Sequence, residues 1–108
     1  MAYVVYTLNV FDKEMNKLPE SDKEIINKIF LQFKENPYVG DQIRYKFFRE
    51  KRVREKRIYY LIYDDLKIVL IVAIGGKKAQ EETIDKIVRY FDEYRKYAEK
   101  LSNSSHSS

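Results

Sequence analysis

Residues 57–76 read RIYYLIYDDLKIVLIVAIGG, and the fold of the chain turns on how they are read. Two runs rich in β-branched and aromatic residues flank Asp64-Asp65. Asp favours turns because its carboxylate hydrogen-bonds its own nearby backbone. The stretch therefore predicts two adjacent strands. The second, over 68–74, is apolar at every position, which marks a central strand covered on both faces. In the first, side chains alternate: Ile58, Tyr60 and Ile62 share the face suited to a core, while Arg57, Tyr59 and Tyr63 share the other.

Immediately upstream, residues 46–57 read KFFREKRVREKR. Eight of the fourteen residues from 44 to 57 are basic, and only Glu50 and Glu55 are acidic. Apolar residues at helical spacing are missing, so the segment reads as a further strand, with a turn near Arg54-Glu55-Lys56 leading into the strand at 57. The charge of the chain concentrates here. Residues 1–40 carry five Lys/Arg against six Asp/Glu, and residues 79–108 again five against six. Residues 41–78 carry eleven against five, a net +6 in a chain of net +4. A basic field so localised raises the local concentration of anions, nucleic acid first among them. On a rigid strand beside aromatic rings, cations can meet phosphates and rings can stack on bases. The competing reading is a hairpin whose exposed Lys and Arg merely protect a sheet edge from aggregation.

Outward from this centre, residues 3–8, YVVYTL, read as a strand, and residues 12–17 as a short helix ending near Pro19. Residues 20–36 read as a second helix. Ser21 and Glu24 have the spacing of a capping box. Ile25, Ile26, Ile29, Phe30 and Phe33 make an apolar stripe, which is core. From about 80 to 101, Ile84, Ile87, Val88, Phe91, Tyr94 and Ala98 recur at three and four, predicting one long amphipathic helix. The expected fold class is α+β in the order β-α-α-β-β-β-α. It has a small antiparallel sheet, an N-terminal helical hairpin on one face and a long C-terminal helix. One domain over 1–101 suits 108 residues, and 102–108, with the sole histidine His106, is expected to be a disordered polar tail.

The chain has no cysteine, which excludes disulfides and thiolate metal sites and fits a reducing cytoplasm. No apolar run is long enough to span a membrane, and residues 1–17 lack the basic start of a secretory signal. No metal-ligating constellation stands out, so neither metal nor other cofactor is expected. Asp64-Asp65 is a turn, and Glu81-Glu82 is the acidic first turn of a helix.

Over about residues 2–80 the chain resembles the RelE/ParE superfamily of toxins from toxin–antitoxin pairs. KEMNKLPESDKEIINKIFLQFKENP is similar to that family's helical hairpin, with its Leu-Pro break and final Asn-Pro. KRVREKRIYYLIYDDLKIVLIVAIGGKK is similar to its run of Arg-Val, turn, Tyr-Arg, apolar-Tyr strand, acidic turn, apolar strand and Gly followed by basic residues. The long last helix is similar to that of HigB-like relatives. The resemblance implies a cytoplasmic toxin of a type II pair that cleaves messenger RNA on the ribosome and so inhibits translation. Its implied partners are a cognate antitoxin, the ribosome and messenger RNA, with a toxin–antitoxin hetero-oligomer and no membrane. Two alternatives stand beside it: a ParE-like, non-enzymatic inhibitor of DNA gyrase, and a basic nucleic-acid-binding module without catalysis.

Arg57 matches the arginine that begins the family's Tyr-Arg strand and contacts the scissile phosphate, although Lys56 replaces the tyrosine. Lys77 falls where the nucleases place a second arginine, keeping the charge without the bidentate fork. The family's C-terminal site tyrosine has no counterpart. Histidine pairs being absent, a metal-independent endoribonuclease would need a lysine whose pKa is lowered by neighbouring cations, a tyrosine, or RNA itself as base. Arg57, Lys77 and Lys51 are the catalytic candidates. Lys46, Arg49, Arg52, Arg54, Lys56, Tyr59 and Lys78 are the RNA-binding ones.

Overall fold

The computed structural model describes residues 2–106. In chain order the elements are β1 (Val4–Thr7), α1 (Asn9–Asn16), α2 (Glu20–Glu35), β2 (Asp41–Ile43), β3 (Tyr45–Val53), β4 (Lys56–Tyr63), β5 (Ile68–Gly76), α3 (Gln80–Arg89) and α4 (Phe91–His106). Short 3-10 turns, Pro37–Val39 and Lys77–Ala79, precede β2 and α3. The strands form one sheet in the order β1-β5-β4-β3-β2.

The α+β class holds, and the stretch at 57–76 makes the antiparallel pair β4–β5 at the middle of the sheet. The sheet is mixed, which corrects the expectation of an antiparallel one: β1 runs parallel to β5, with Val4 beside Ile68 and Thr7 beside Ile71. Hairpins fix direction between neighbours in sequence, but β1 reaches β5 only across the rest of the domain. Periodicity carries no information about that pairing.

Both faces of the sheet are covered. On one, Phe11, Ile26, Ile29 and Phe33 of α1 and α2 pack against Val53, Ile58, Tyr60, Ile62, Val69 and Ile71. On the other, Ile84, Ile87 and Ala98 of α3 and α4 pack against Phe48, Tyr59, Leu61, Leu70 and Val72. Every residue of β4 from Ile58 to Tyr63 is buried, so β4 is a second central strand and neither of its faces meets solvent. Among the described residues no helix is long and apolar enough to cross a membrane.

Three further expectations are corrected. The expected single C-terminal helix is two, α3 and α4, divided at Tyr90. No Pro or Gly announces that break. Phe91 enters a cluster with Tyr45, Phe47 and Phe48, at ring-centroid distances of 5.2–5.6 Å, and this packing redirects the chain. α2 starts one residue before Ser21, with Pro19 at its N-cap and no side-chain cap, so the capping box does not form. α4 extends to His106, into the segment expected to be a disordered tail. Residues 107 and 108 of that tail lie outside the described residues.

Gly40 is required by close approach. A Cβ there would collide with the Tyr60 hydroxyl and stand 2.6 Å from the Glu50 carbonyl oxygen. That hydroxyl donates to the Pro37 carbonyl (2.6 Å) and accepts from the Gly40 N–H (3.1 Å). One buried tyrosine thus fixes the entry to β2, the edge of the sheet that flanks β3.

Candidate anion-binding cleft at the end of the sheet

The β3–β4 hairpin turns on Arg54-Glu55, with Val53 paired to Lys56 and Arg52 to Arg57. Arg54 adopts φ 57°, a left-handed conformation that Asn or Gly takes more readily. Its side chain pairs with Asp22 of α2 at 2.9 Å, which offsets part of that cost. On the far side of β4, Arg57 lies opposite Gly75 and Lys56 opposite Gly76. A bulge sets this register. Tyr59 pairs with Ala73 and Tyr60 with Ile71, leaving Val72 as the extra residue on β5. Gly75 is thereby opposed to Arg57, and a Cβ on Gly75 would have only the Thr83 hydroxyl of α3 within 4.0 Å. The missing side chain leaves space beside the arginine.

The result is a cleft of about 440 Å3 lined by Arg52, Glu55, Lys56, Arg57, Gly76, Lys77 and Lys78. Five of those seven residues are cationic and one is anionic, and Lys77 and Lys78 are exposed on the 3-10 turn that leaves β5. Among the described residues, Lys56, Lys77 and Lys78 have no ion-pair partner within 4.0 Å. Unpaired cations around an open cleft suit a phosphate, whose oxygens accept charge-assisted hydrogen bonds.

Arg57 itself is held. Its Nε lies 3.4 Å from Glu50 Oε2, both side chains being about 15% exposed. Gln80, the first residue of α3, donates from Nε2 to Glu50 Oε1 at 3.2 Å. The Tyr59 hydroxyl, buried and without a hydrogen-bond partner among the described residues, belongs to the same face. Burial pushes its pKa up, Glu50 adds to the rise and Arg57 opposes it.

Of the residues expected from sequence, Arg57, Lys77, Arg52, Lys56 and Lys78 are brought together here. The others are not. Lys51 pairs across the hairpin with Ile58, whose side chain belongs to the core under α1 and α2, so Lys51 lies on the face opposite Arg57. Tyr59 is fully buried and cannot stack on a base in this conformation. Arg54 is committed to Asp22. Lys46 sits near the other end of β3, six residue steps from Arg52 or about 20 Å at the usual rise, and Arg49, at the middle of β3, pairs with Tyr60 and so lies on the face opposite Arg57. Arg49 donates to the carbonyls of Lys46, Tyr38 and Gly40 and lies over the Tyr38 ring, a structural engagement. Arg44, also outside the cleft, pairs with Asp85 at 3.0 Å. Glu50 and Gln80 were missed. With the turn at Arg54-Glu55, strand parity alone puts Glu50 on the face of Arg57; Gln80 gave no local signal.

At the opposite end of β4, Asp64 accepts from the Tyr3 and Tyr38 hydroxyls, each at 2.6 Å. These bonds hold its carboxyl below the usual range. Asp65 binds the Arg95 guanidinium through two bonds of 2.6 and 3.0 Å. Among the described residues no group of three or more His, Cys, Asp or Glu is placed to hold a metal ion.

No family model and no curated protein matches the chain. Solved structures do. A double mutant of the E. coli toxin RelE in the free state superposes with a TM-score of 0.70 at 22% identity, covering 82% of this chain and 98% of that one. The toxin–antitoxin complex RelBE of E. coli gives 0.63 at 20% identity, over 69% of this chain and 96% of that one. RelBE2 of Mycobacterium tuberculosis gives 0.62 at 20%, over 71% and 100%. The chain has the fold of RelE.

Proposed function

We propose that this protein is the toxin of a type II toxin–antitoxin pair, and that it acts by cleaving messenger RNA on the ribosome. The observation that carries the reading is the cleft of Arg52, Lys56, Arg57, Lys77 and Lys78 at the end of the sheet of a RelE fold. Support for an antitoxin partner comes from the RelBE complexes among the similar structures.

In this reaction a ribose 2′-oxygen attacks the adjacent phosphorus. The 2′-hydroxyl loses its proton, the bond to the 5′-oxygen breaks, and that oxygen takes up a proton. The products are a 2′,3′-cyclic phosphate and a 5′-hydroxyl. Negative charge builds on the phosphorane, and Arg57 with Lys77 stabilises it, while Arg52, Lys56 and Lys78 hold the neighbouring backbone. The ribosome supplies the orientation of the strand that an open cleft does not.

The test is cleavage of a defined message on programmed ribosomes, with 5′ ends mapped by primer extension. Wild-type protein should give ends within the codon in the ribosomal A site, and addition of the adjacent gene's product should abolish them. Growth arrest with intact message and inhibited gyrase supercoiling would overturn the nuclease reading.

A further inference from the structure

We propose that Glu50 is an internal anion that occupies the Arg57 guanidinium in the ligand-free protein, so that a phosphate-bearing ligand binds by displacing it. The proposal rests on the reading of the cleft as a phosphate site and assigns that site its gate. Three observations lead to it. First, Glu50 is the only carboxylate within 4.0 Å of a cleft cation among the described residues, at 3.4 Å from Arg57 Nε. A carboxylate presents to a guanidinium the same pair of acceptor oxygens as one edge of a phosphate. Second, Arg52 and Arg57 are directly opposed across the hairpin, a like-charge pairing that needs a counter-ion on that face. Glu50 supplies it without a ligand; a phosphate would supply it with one. Third, the other oxygen of Glu50 is held by Gln80, the first residue of α3. Displacing the carboxylate therefore also releases that tie between β3 and α3.

A purely structural ion pair predicts different behaviour from an exchangeable one. If Arg57 is open to ligand only in the fraction of molecules where Glu50 has let go, the apparent affinity is reduced by that fraction. Removing the carboxylate charge while keeping its shape should restore the affinity. Removing a charge elsewhere in the cleft should not, and Glu55, exposed on the same lining, provides that control.

The experiment titrates inorganic pyrophosphate into the full chain and follows the Arg57 Nε–H and Gln80 side-chain amide signals by NMR. Glu50→Gln should bind about three- to tenfold more tightly than wild type. Glu55→Gln should change affinity less than about twofold, the scale of one exposed charge. In an Arg57→Ala background, Glu50→Gln should bring no gain, because the coupling between the two residues is the effect itself. In wild type the Gln80 amide should shift together with Arg57. An equal gain from both Gln variants, or a gain that survives without Arg57, overturns the proposal. If Glu50→Gln does not fold, Gln80→Ala, which leaves both charges in place, should tighten binding in the same direction, and no change there overturns it equally. Because the probe is a bare anion, the result does not depend on RNA cleavage. Pyrophosphate bound at Arg57 without any influence of Glu50 removes the gate alone, whereas no pyrophosphate at Arg57 in any variant removes the phosphate site as well.

Discussion

Replacing Arg57 by alanine does two things that the structure separates. It removes a guanidinium from the cleft, and it leaves Glu50, only 14% exposed, without its cationic partner. On the proposed function, the first effect acts on RNA cleavage. Losing one donor aimed at developing charge costs about 10²–10³ in rate, or about 2.7–4 kcal/mol of transition-state stabilisation. The second acts on the fold: a mostly buried acceptor deprived of its partner costs about 1–3 kcal/mol. Single-turnover cleavage on saturating programmed ribosomes reads the first, and thermal unfolding by circular dichroism reads the second. Arg57→Lys should recover part of the rate, since one ammonium restores charge without the planar fork. Arg57→Ala combined with Glu50→Gln should regain stability while remaining slow. Cleavage by folded Arg57→Ala at the wild-type rate would refute the placement of Arg57 at the reacting phosphate. Recovery of the rate in the double variant would refute it too, because the loss would then have been structural.

Gly40→Ala should destabilise the fold by about 1–3 kcal/mol through overpacking, lowering the melting temperature by roughly 5–20 °C, because the new Cβ meets the Tyr60 hydroxyl. Lys51→Ala should leave single-turnover cleavage within about twofold of wild type, since that side chain lies on the face away from Arg57; a loss of the size expected for one transition-state donor would show that the β3 register is wrong. The Asp64 carboxyl is depressed by its bonds from Tyr3 and Tyr38, so its stabilisation is present above the ordinary carboxylate value near 3.8 and is lost as pH falls through the lower folded value. Acid titration of unfolding free energy should therefore be shallower in Asp64→Asn than in wild type. Tyr3 is pushed up to about 12, chiefly by the same bond, so its contribution is complete below the ordinary value of 10.0 and is lost between there and 12. Tyrosinate absorbance should show fewer late-ionising tyrosines in Asp64→Asn than in wild type, while Tyr60 and Tyr63, raised by burial and not by Asp64, still ionise late in both.

What the sequence revealed and what it hid divide along a physical line. β4 and β5 were legible because their residues are β-branched and aromatic and an acidic turn separates them; the α2 stripe was legible because Ile26, Ile29 and Phe33 repeat at helical spacing. Each of these is a local signal. The parallel pairing of β1 with β5, the break at Tyr90 and the covering of both faces of β4 are decided by contacts between distant segments. The site divides in the same way. Arg57 and Arg52 could be placed from the hairpin. A count of cations, however, treats Lys51 as equal to its neighbours, while a pleated strand sends it to the other face. The same count treats Glu50 as a stray negative charge, although strand parity and the first residue of α3 make it the partner of Arg57.

The burial of β4 also bears on where the proposed site lies. A strand covered by helices on both faces offers solvent only its ends. One end, at Asp64 and Asp65, is satisfied internally by two tyrosine hydroxyls and a bidentate arginine. The other end gathers cations from three separate pieces of chain: Arg52 of β3, Lys56 and Arg57 of β4, and Lys77 and Lys78 beyond β5. Holding like charges together costs stability in an empty cleft. Ion pairing relieves that cost for Arg57 through Glu50 and leaves Arg52 and the three lysines without an ion-pair partner among the described residues. The Val72 bulge and Gly75 then keep the space beside Arg57 free of side chains. The two ends of one strand are thus opposite in kind: at the acidic end Asp64 and Asp65 bond to side chains of the chain itself, whereas at the basic end Lys56, Lys77 and Lys78 have no ion-pair partner among the described residues, as the proposed phosphate site requires.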